Sequence, residues 1–180
     1  MATIRILLGI LCFTPMLSYR LSNRNLLNAE QIKLIGIAKS QVGIRESKQN
    51  NHGKAVSAYL KYTNLPEGHP WCAAFISWIY AEAGYSRPKT AWSPALFSES
   101  KLVKNPVTGD VFGVFCPKLK RIAHCGLVER INHEWIITIE GNTNSAASRD
   151  GDGVYRKWRH IRTIYAFARW LPKRKGVGDE

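Results

Sequence analysis

The most apolar stretch of the chain is Trp71-Cys-Ala-Ala-Phe-Ile-Ser-Trp-Ile-Tyr-Ala-Glu-Ala83, which follows Pro70 and is closed by Gly84. Proline just before a helix and glycine just after it are typical helix boundaries. A helix that is hydrophobic on nearly every side is buried in the middle of its domain. The stretch therefore predicts a central helix around which the rest of the fold is built.

Cys72 lies in the first turn of this predicted helix. The unpaired backbone N–H groups and the positive end of the helix dipole favour a thiolate over a thiol there. A thiolate is a nucleophile, and the same N–H groups can donate to an oxyanion during acyl transfer. Most cysteines are small buried hydrophobic residues, and position alone does not separate that structural role from catalysis.

The segments on either side of this helix differ in character. Upstream, helical spacing predicts a helix over 29–41 and a second helix that ends near Tyr62. Downstream, short alternating segments between turn signals predict five strands, at Asp110–Cys116, Ile122–Ile131, Trp135–Glu140, Val154–Trp158 and Tyr165–Trp170. Helices followed by strands predict an α+β domain with an antiparallel sheet.

Length, composition and charge limit the class of protein. The 180 residues are 45% hydrophobic and 22% charged, which fits one domain with a full core and excludes a disordered tail or a membrane bundle. Lys and Arg number 26 against 13 acidic residues, a net charge of +13, so the chain should attract polyanions. No zinc-finger or RNA-recognition pattern supports nucleic acid as that polyanion. The basic residues cluster at 118–121, 156–162 and 173–175.

The first 18 residues are predicted to be a signal peptide. A short basic start to Arg5 precedes an apolar run from Ile6 to Leu17, which is too short to span a bilayer but has the length of a signal-peptide core. The alternative is a frayed or buried N-terminal helix. The interpretation leaves a domain over 19–172, a loose basic tail over 173–180, and an exported protein of the periplasm, cell envelope or extracellular space.

Removal of Cys12 with the signal leaves three cysteines, so at least one thiol stays free or pairs between chains. No C-x-x-C pair occurs, and no ligand spacing indicates zinc. We therefore expect no metal and no cofactor.

The second and third predicted strands suggest a partner for Cys72. A three-residue turn over 132–134 would pair Ile131 with Trp135 and collect the apolar residues on one face. His124, Glu140 and Asn142 then share the other face, with His124 within side-chain reach of Glu140. A histidine with polar groups that orient it matches the logic of cysteine hydrolases. The alternative is an ordinary strand histidine beside turn residues.

Three segments in this order carry a family resemblance: Trp71-Cys-Ala-Ala-Phe75, His124-Cys-Gly-Leu-Val128 and Glu140-Gly-Asn-Thr143. They resemble the CHAP family of cysteine, histidine-dependent amidohydrolases/peptidases. Members of this family cut peptidoglycan and are related to the NlpC-type and papain-like hydrolases. The resemblance extends to 38–43 and 109–112, and covers roughly 29–171.

The resemblance implies a papain-like α+β fold, with the nucleophile helix packed on the sheet. It also implies Cys72 as the nucleophile, His124 as the base and then the acid, and Glu140 as the residue that orients the imidazole. Asn142 is implied as a further polar partner. Cys125 stands where such motifs often carry an aliphatic residue, and the predicted register points it into the core.

The implied substrate is peptidoglycan, cut either between muramic acid and L-alanine or within the stem peptide or cross-bridge. His69, Trp71 and Trp92 are candidates for substrate contact, although aromatic residues are more commonly buried. We expect a monomer whose basic clusters bind anionic envelope polymers; the sequence does not indicate whether an immunity protein binds it. The alternatives are a catalytically inactive wall-binding module and, less favoured, a basic nucleic-acid binder.

Overall fold

The computed structural model describes residues 29–145 and 151–172. The predicted signal peptide at 1–18 and the basic tail at 173–180 lie outside these residues. Within the described ranges, no helix combines the length and the apolar character that crossing a bilayer requires.

The described residues contain three α-helices. Helix α1 covers 29–40, α2 covers Lys54–Tyr62 and α3 covers Cys72–Glu82. Short 3₁₀ turns occur at Ser93–Phe97, Glu99–Lys101 and Ile161–Thr163. Helix α3 is buried on almost every side, as its apolar sequence predicts, and it contacts α2 and strands of the sheet. The predicted central helix is confirmed.

The described residues also form one six-stranded antiparallel sheet. Its strands are β1 Leu102–Val103, β2 Val111–Cys116, β3 Arg121–Asn132, β4 Trp135–Thr143, β5 Gly153–His160 and β6 Ala166–Ala168. They are arranged in the order β1-β6-β2-β3-β4-β5. The predicted α+β class is confirmed. Strand β1 was not predicted, because two residues carry too little alternation to signal a strand.

The main core lies between the helices and one face of the sheet. Phe75 and Ile76 of α3 are buried there with Cys125, Leu127 and Ile139 of the sheet. A smaller cluster contains Phe112, Val128 and Ile136, with Ile131, Ile164 and Phe167 packed against it. The two clusters alternate along β3 and β4, because successive side chains of a strand point to opposite faces.

The turn between β3 and β4 is shorter than predicted. Asn132 pairs with Trp135, so the predicted pairing of Ile131 with Trp135 is wrong by one residue. His133 adopts a left-handed φ of 54°, which allows a two-residue turn. As a result Ile131 packs with the smaller cluster and not on the helical face.

A bulge restores the predicted register further from the turn. The pairing shifts between Val128 and Arg130, and from there Val128 pairs with Thr138 and Leu127 with Ile139, as predicted. The extra residue is Glu129, whose carboxylate binds Lys39 of α1 at 2.9 Å and the Arg156 Nε of β5 at 2.6 Å. These ion pairs hold the bulge. The face shared by His124 and Glu140 is therefore preserved.

We predict that Ile139→Asn destabilises the protein by about 3–4 kcal/mol, because it replaces a fully buried aliphatic group with an amide that finds no partner. Ile32→Asn is the matched control, since Ile32 is 70% exposed on α1. Urea unfolding of both variants measures the effect. An unfolding free energy for Ile139→Asn within 1 kcal/mol of that of the control, roughly the scatter of surface substitutions, would contradict the described packing.

Candidate active site

Cys72 is the first residue of α3, and its side chain is 5% exposed. Trp71 at the N-cap supplies no side-chain hydrogen bond to the helix start. The Trp71 side chain therefore does not occupy the backbone N–H groups of the first turn. These groups can donate hydrogen bonds to a ligand bound beside Cys72. The Cys72 Sγ lies 3.3 Å from the Ser93 Oγ, at the start of the first 3₁₀ turn.

His124 of β3 and Glu140 of β4 lie together, as the sequence predicts. The His124 Nε2 is 2.8 Å from the Glu140 Oε2. Gly126 makes the approach possible, because a Cβ at that position would lie 2.8 Å from the Glu140 Cγ and 2.6 Å from a ring carbon of Phe112. Glycine at this position therefore leaves the space that the Glu140 side chain occupies.

Glu140 is fully buried and accepts hydrogen bonds on both carboxylate oxygens. Its Oε1 accepts from the Thr138 hydroxyl at 2.6 Å and from the Arg159 Nε at 2.6 Å. Its Oε2 accepts from the second Arg159 nitrogen at 2.7 Å and faces His124. Burial alone would raise the pKa of Glu140, but the hydrogen bonds from Arg159 and His124 lower it strongly. Glu140 is therefore a carboxylate near neutral pH.

Arg159 is a site residue that the sequence analysis placed only in a basic cluster. Alternation along β5 puts it on the sheet face of Glu140, because Arg159 pairs with Ile136 and Ile136 shares a face with Glu140. The alternation along β5 can place Arg159 at the site only when the register between β4 and β5 is known.

Cys72 and His124 lie close enough for each to shift the pKa of the other. Burial by itself would lower the pKa of His124, but hydrogen bonds and charge interactions with Cys72 and Glu140 raise it to about 9. The largest effect on the pKa of Cys72 is a hydrogen bond with the Cys125 thiol, which lowers it. Burial raises the pKa of Cys72, whereas His124 and Ser93 lower it further. The net result is a pKa of Cys72 well below the usual value of a thiol. Because Nε2 faces Glu140, the ring presents Nδ1 to Cys72. Both pKa shifts favour a thiolate on Cys72 beside an imidazolium on His124.

Cys125 lies in the core, as the predicted register indicates, and it also adjoins the nucleophile. Its Sγ is 3.9 Å from the Ser93 Oγ. Burial and the neighbouring Cys72 raise the pKa of the Cys125 thiol well above its usual value. Cys125 therefore stays protonated and can donate to the Cys72 thiolate. This contact and Ser93 were not predicted, because Ser93 lies outside the three motif segments and the Cys125 position in such motifs often carries an aliphatic residue.

Asn142 was a candidate to orient His124 from the predicted register, but its side chain bonds to other residues. Its Oδ1 accepts from the Trp71 backbone N–H at 3.4 Å, and its Nδ2 donates to the Asn51 Oδ1 at 2.9 Å and the Glu46 Oε1 at 3.3 Å. These bonds connect the end of β4 to the residue before the nucleophile and to the loop that precedes α2. The arrangement gives Asn142 a role in positioning the start of α3.

The three candidate substrate-contact residues lie in different environments. Trp71 is fully buried and its Nε1 donates to the Glu46 Oε1 at 2.7 Å, so its assignment to a substrate groove is corrected to a structural role. His69 and Trp92 are exposed and line a cleft of about 520 Å³ that reaches Cys72.

A second cleft, of about 760 Å³, meets the first at Cys72. It includes His124 and Asn142, and its basic residues are Arg121, Lys157 and Arg159. Cys72 is thus reached from two sides, an arrangement that can accommodate an extended ligand across it.

No group of three or more His, Cys, Asp or Glu side chains within 29–145 and 151–172 is arranged to hold a metal ion. The chemistry that the described residues can supply is nucleophilic and acid–base chemistry at Cys72 and His124.

In comparisons with known proteins, no protein-family model matches the chain and no curated protein matches it.

Proposed function

We propose that this chain is a peptidoglycan hydrolase with a papain-like fold, which cleaves an amide bond through a covalent intermediate on Cys72. The observation that carries the proposal is the placement of Cys72 at the start of a buried helix, beside a histidine whose far nitrogen contacts a buried carboxylate. Structural cysteines do not need this arrangement, whereas a thiol nucleophile does.

The proposed reaction begins with attack of the Cys72 thiolate on the carbonyl carbon of the scissile amide. The carbonyl oxygen becomes an oxyanion, and N–H groups at the start of α3 donate to it. The His124 imidazolium gives its proton to the amine nitrogen as the C–N bond breaks, which leaves a thioester on Cys72. The neutral imidazole then takes a proton from water, the resulting hydroxide attacks the thioester, and the thiolate leaves.

Glu140 and Arg159 support this cycle without touching the reacting atoms. The Glu140 carboxylate accepts from His124 and stabilises the imidazolium, while the bidentate bond from Arg159 keeps the carboxylate ionised and in place. Both groups are positioning residues.

Peptidoglycan is the proposed substrate because the three motif segments resemble wall hydrolases and because the two clefts suit an extended polymer. The net charge of +13 supports retention near anionic envelope polymers through salt-sensitive attraction. An exported monomer that needs no cofactor is part of the same proposal.

Release of dye from labelled, purified peptidoglycan tests the function against its alternatives. The proposed hydrolase releases soluble dye. An inactive wall-binding module would sediment with the polymer and release none, and a nucleic-acid binder would be retained on DNA in a salt-dependent way and ignore the wall.

The pKa of about 9 for His124 predicts the alkaline limit of activity. The value of kcat/KM should be level from about pH 7 to 8 and fall as the pH rises through about 9, because the imidazolium that protonates the leaving amine is lost. Alkylation of Cys72 by iodoacetamide should reach its full rate at a lower pH than that of an ordinary thiol, since the pKa of Cys72 is lowered by its hydrogen bonds with Cys125, His124 and Ser93. Initial-rate and alkylation profiles against pH measure both. Activity that keeps rising to pH 10 would indicate an ordinary thiol and contradict the ion pair.

A further inference from the structure

Arg121, the first residue of β3, lies at the junction of the two clefts. It lines both of them together with Cys72. Its guanidinium carbon lies 4.2 Å from the centre of the Trp92 ring, and one of its nitrogens donates to the Ile122 carbonyl at 3.1 Å. Stacking on an aromatic ring and a bond to the backbone restrict the side chain to one orientation.

Apart from the Cys72 thiolate, the charged side chains that line the two clefts with Arg121 in the described part of the chain are cationic. The described residues that line the two clefts include Lys89, Lys157 and Arg159 but no Asp or Glu. Arg159 is neutralised by Glu140, and Lys157 donates to the Asn144 carbonyl at 2.8 Å. In the described part of the chain, Arg121 forms no salt bridge. A fixed guanidinium without a carboxylate partner is thus presented at the nucleophile.

We propose that Arg121, held by Trp92, is a specificity residue that binds a free carboxylate of the substrate beside the scissile amide. A guanidinium offers two parallel N–H donors to a carboxylate, and the stacked Arg121 is already oriented before the substrate binds. The inference rests on the proposed function and narrows its substrate to stem peptides with a free carboxylate next to the cleaved bond. Peptides in which that carboxylate is amidated are poor substrates.

Two thiol reagents test the site without any turnover. Iodoacetate and iodoacetamide both alkylate Cys72 when the thiolate displaces iodide, but only iodoacetate places a carboxylate beside the sulfur. The measured quantity is the rate constant of iodoacetate at Cys72 divided by that of iodoacetamide. This ratio should fall about fivefold or more in Arg121→Gln, because a nearby cation no longer attracts the anionic reagent. Arg121→Lys should keep most of the preference for iodoacetate. Peptide mapping by mass spectrometry distinguishes alkylation at Cys72 from alkylation at the other free cysteines.

Lys118→Gln is the matched control, because Lys118 is an exposed cation three residues away and does not line either cleft. This variant removes the same charge from the protein and should leave the ratio unchanged. An unchanged ratio in Arg121→Gln, or an equal fall in the Lys118→Gln control, would overturn the proposal.

A second experiment uses pairs of synthetic stem peptides that differ only in a carboxylate or a carboxamide next to the scissile bond. The wild type should favour the acid about tenfold or more in kcat/KM, as expected for a hydrogen-bonded charge pair, and Arg121→Gln should lose that preference. Equal losses on both peptides would assign Arg121 a structural role and overturn the proposal. If neither peptide is cut while the reagent ratio depends on Arg121, the proposed function fails and the carboxylate site stands.

Discussion

Cys72→Ala is expected to lower kcat/KM on peptidoglycan fragments by about 10⁴-fold or more, because it removes the thiolate, while the neighbouring Cys125 thiol has a raised pKa and stays protonated. The fold should survive, since the change removes one atom from a small side chain at the start of a helix. We expect the melting temperature to shift by only a few degrees. Initial rates on soluble fragments and thermal unfolding by circular dichroism measure the two effects.

Cys72→Ser is the companion variant, because it keeps the size of the side chain and replaces the thiol with a hydroxyl that stays protonated at neutral pH. It should be nearly as inactive as Cys72→Ala. Turnover in the alanine variant within tenfold of the wild type would rule out the thiol mechanism.

Glu140→Gln is expected to cut turnover by about 10²–10³-fold and to destabilise the protein by about 2–4 kcal/mol. Four donated hydrogen bonds converge on the Glu140 carboxylate, two on each oxygen, from Thr138, Arg159 and His124. An amide has one oxygen, so its NH₂ group must face either Thr138 and Arg159 or His124 and Arg159. In either orientation the NH₂ group points at hydrogen-bond donors where the carboxylate has an acceptor oxygen. The Arg159 charge is also left without its counter-ion.

The matched control for this prediction is Glu134→Gln. Glu134 lies in the turn of the same hairpin, its side chain is 63% exposed, and it is 3.4–3.5 Å from Arg162 and His160. The control should change activity and stability little, as exposed ion pairs do. Full activity in Glu140→Gln would show that the carboxylate does not support His124.

The central helix and the shared face of His124 and Glu140 could be predicted because each depends on local pattern. An apolar run between Pro70 and Gly84 indicates a buried helix, and alternation along β3 and β4 indicates which side chains share a face. The register near the turn was wrong, because a left-handed His133 and a bulge at Glu129 carry little sequence signal. His124 and Glu140 nevertheless lie on the same face, as predicted, because the bulge compensates for the shorter turn.

Arg159, Ser93 and Cys125 could not be assigned to the site from the sequence. Arg159 depends on the register between β4 and β5, and Ser93 on the path of a 3₁₀ turn that no periodic pattern indicates. Cys125 was correctly expected in the core, but its distance from Cys72 depends on how α3 packs on the sheet. Trp71 was assigned to a groove because aromatic residues beside a nucleophile suit ligand binding, whereas its ring is buried against Phe75 and Tyr59.

Mass spectrometry of purified muropeptides incubated with the wild-type protein is the decisive test of the proposed amide hydrolysis at Cys72. We expect one amide bond to be hydrolysed, giving two products whose masses add up to the substrate plus one water, and the same muropeptides to remain intact with Cys72→Ala. The identity of the products names the bond that is cut. Intact muropeptides after incubation with the wild type, cleavage of a glycosidic bond, or identical products from Cys72→Ala would show that the protein is not an amide hydrolase that uses Cys72.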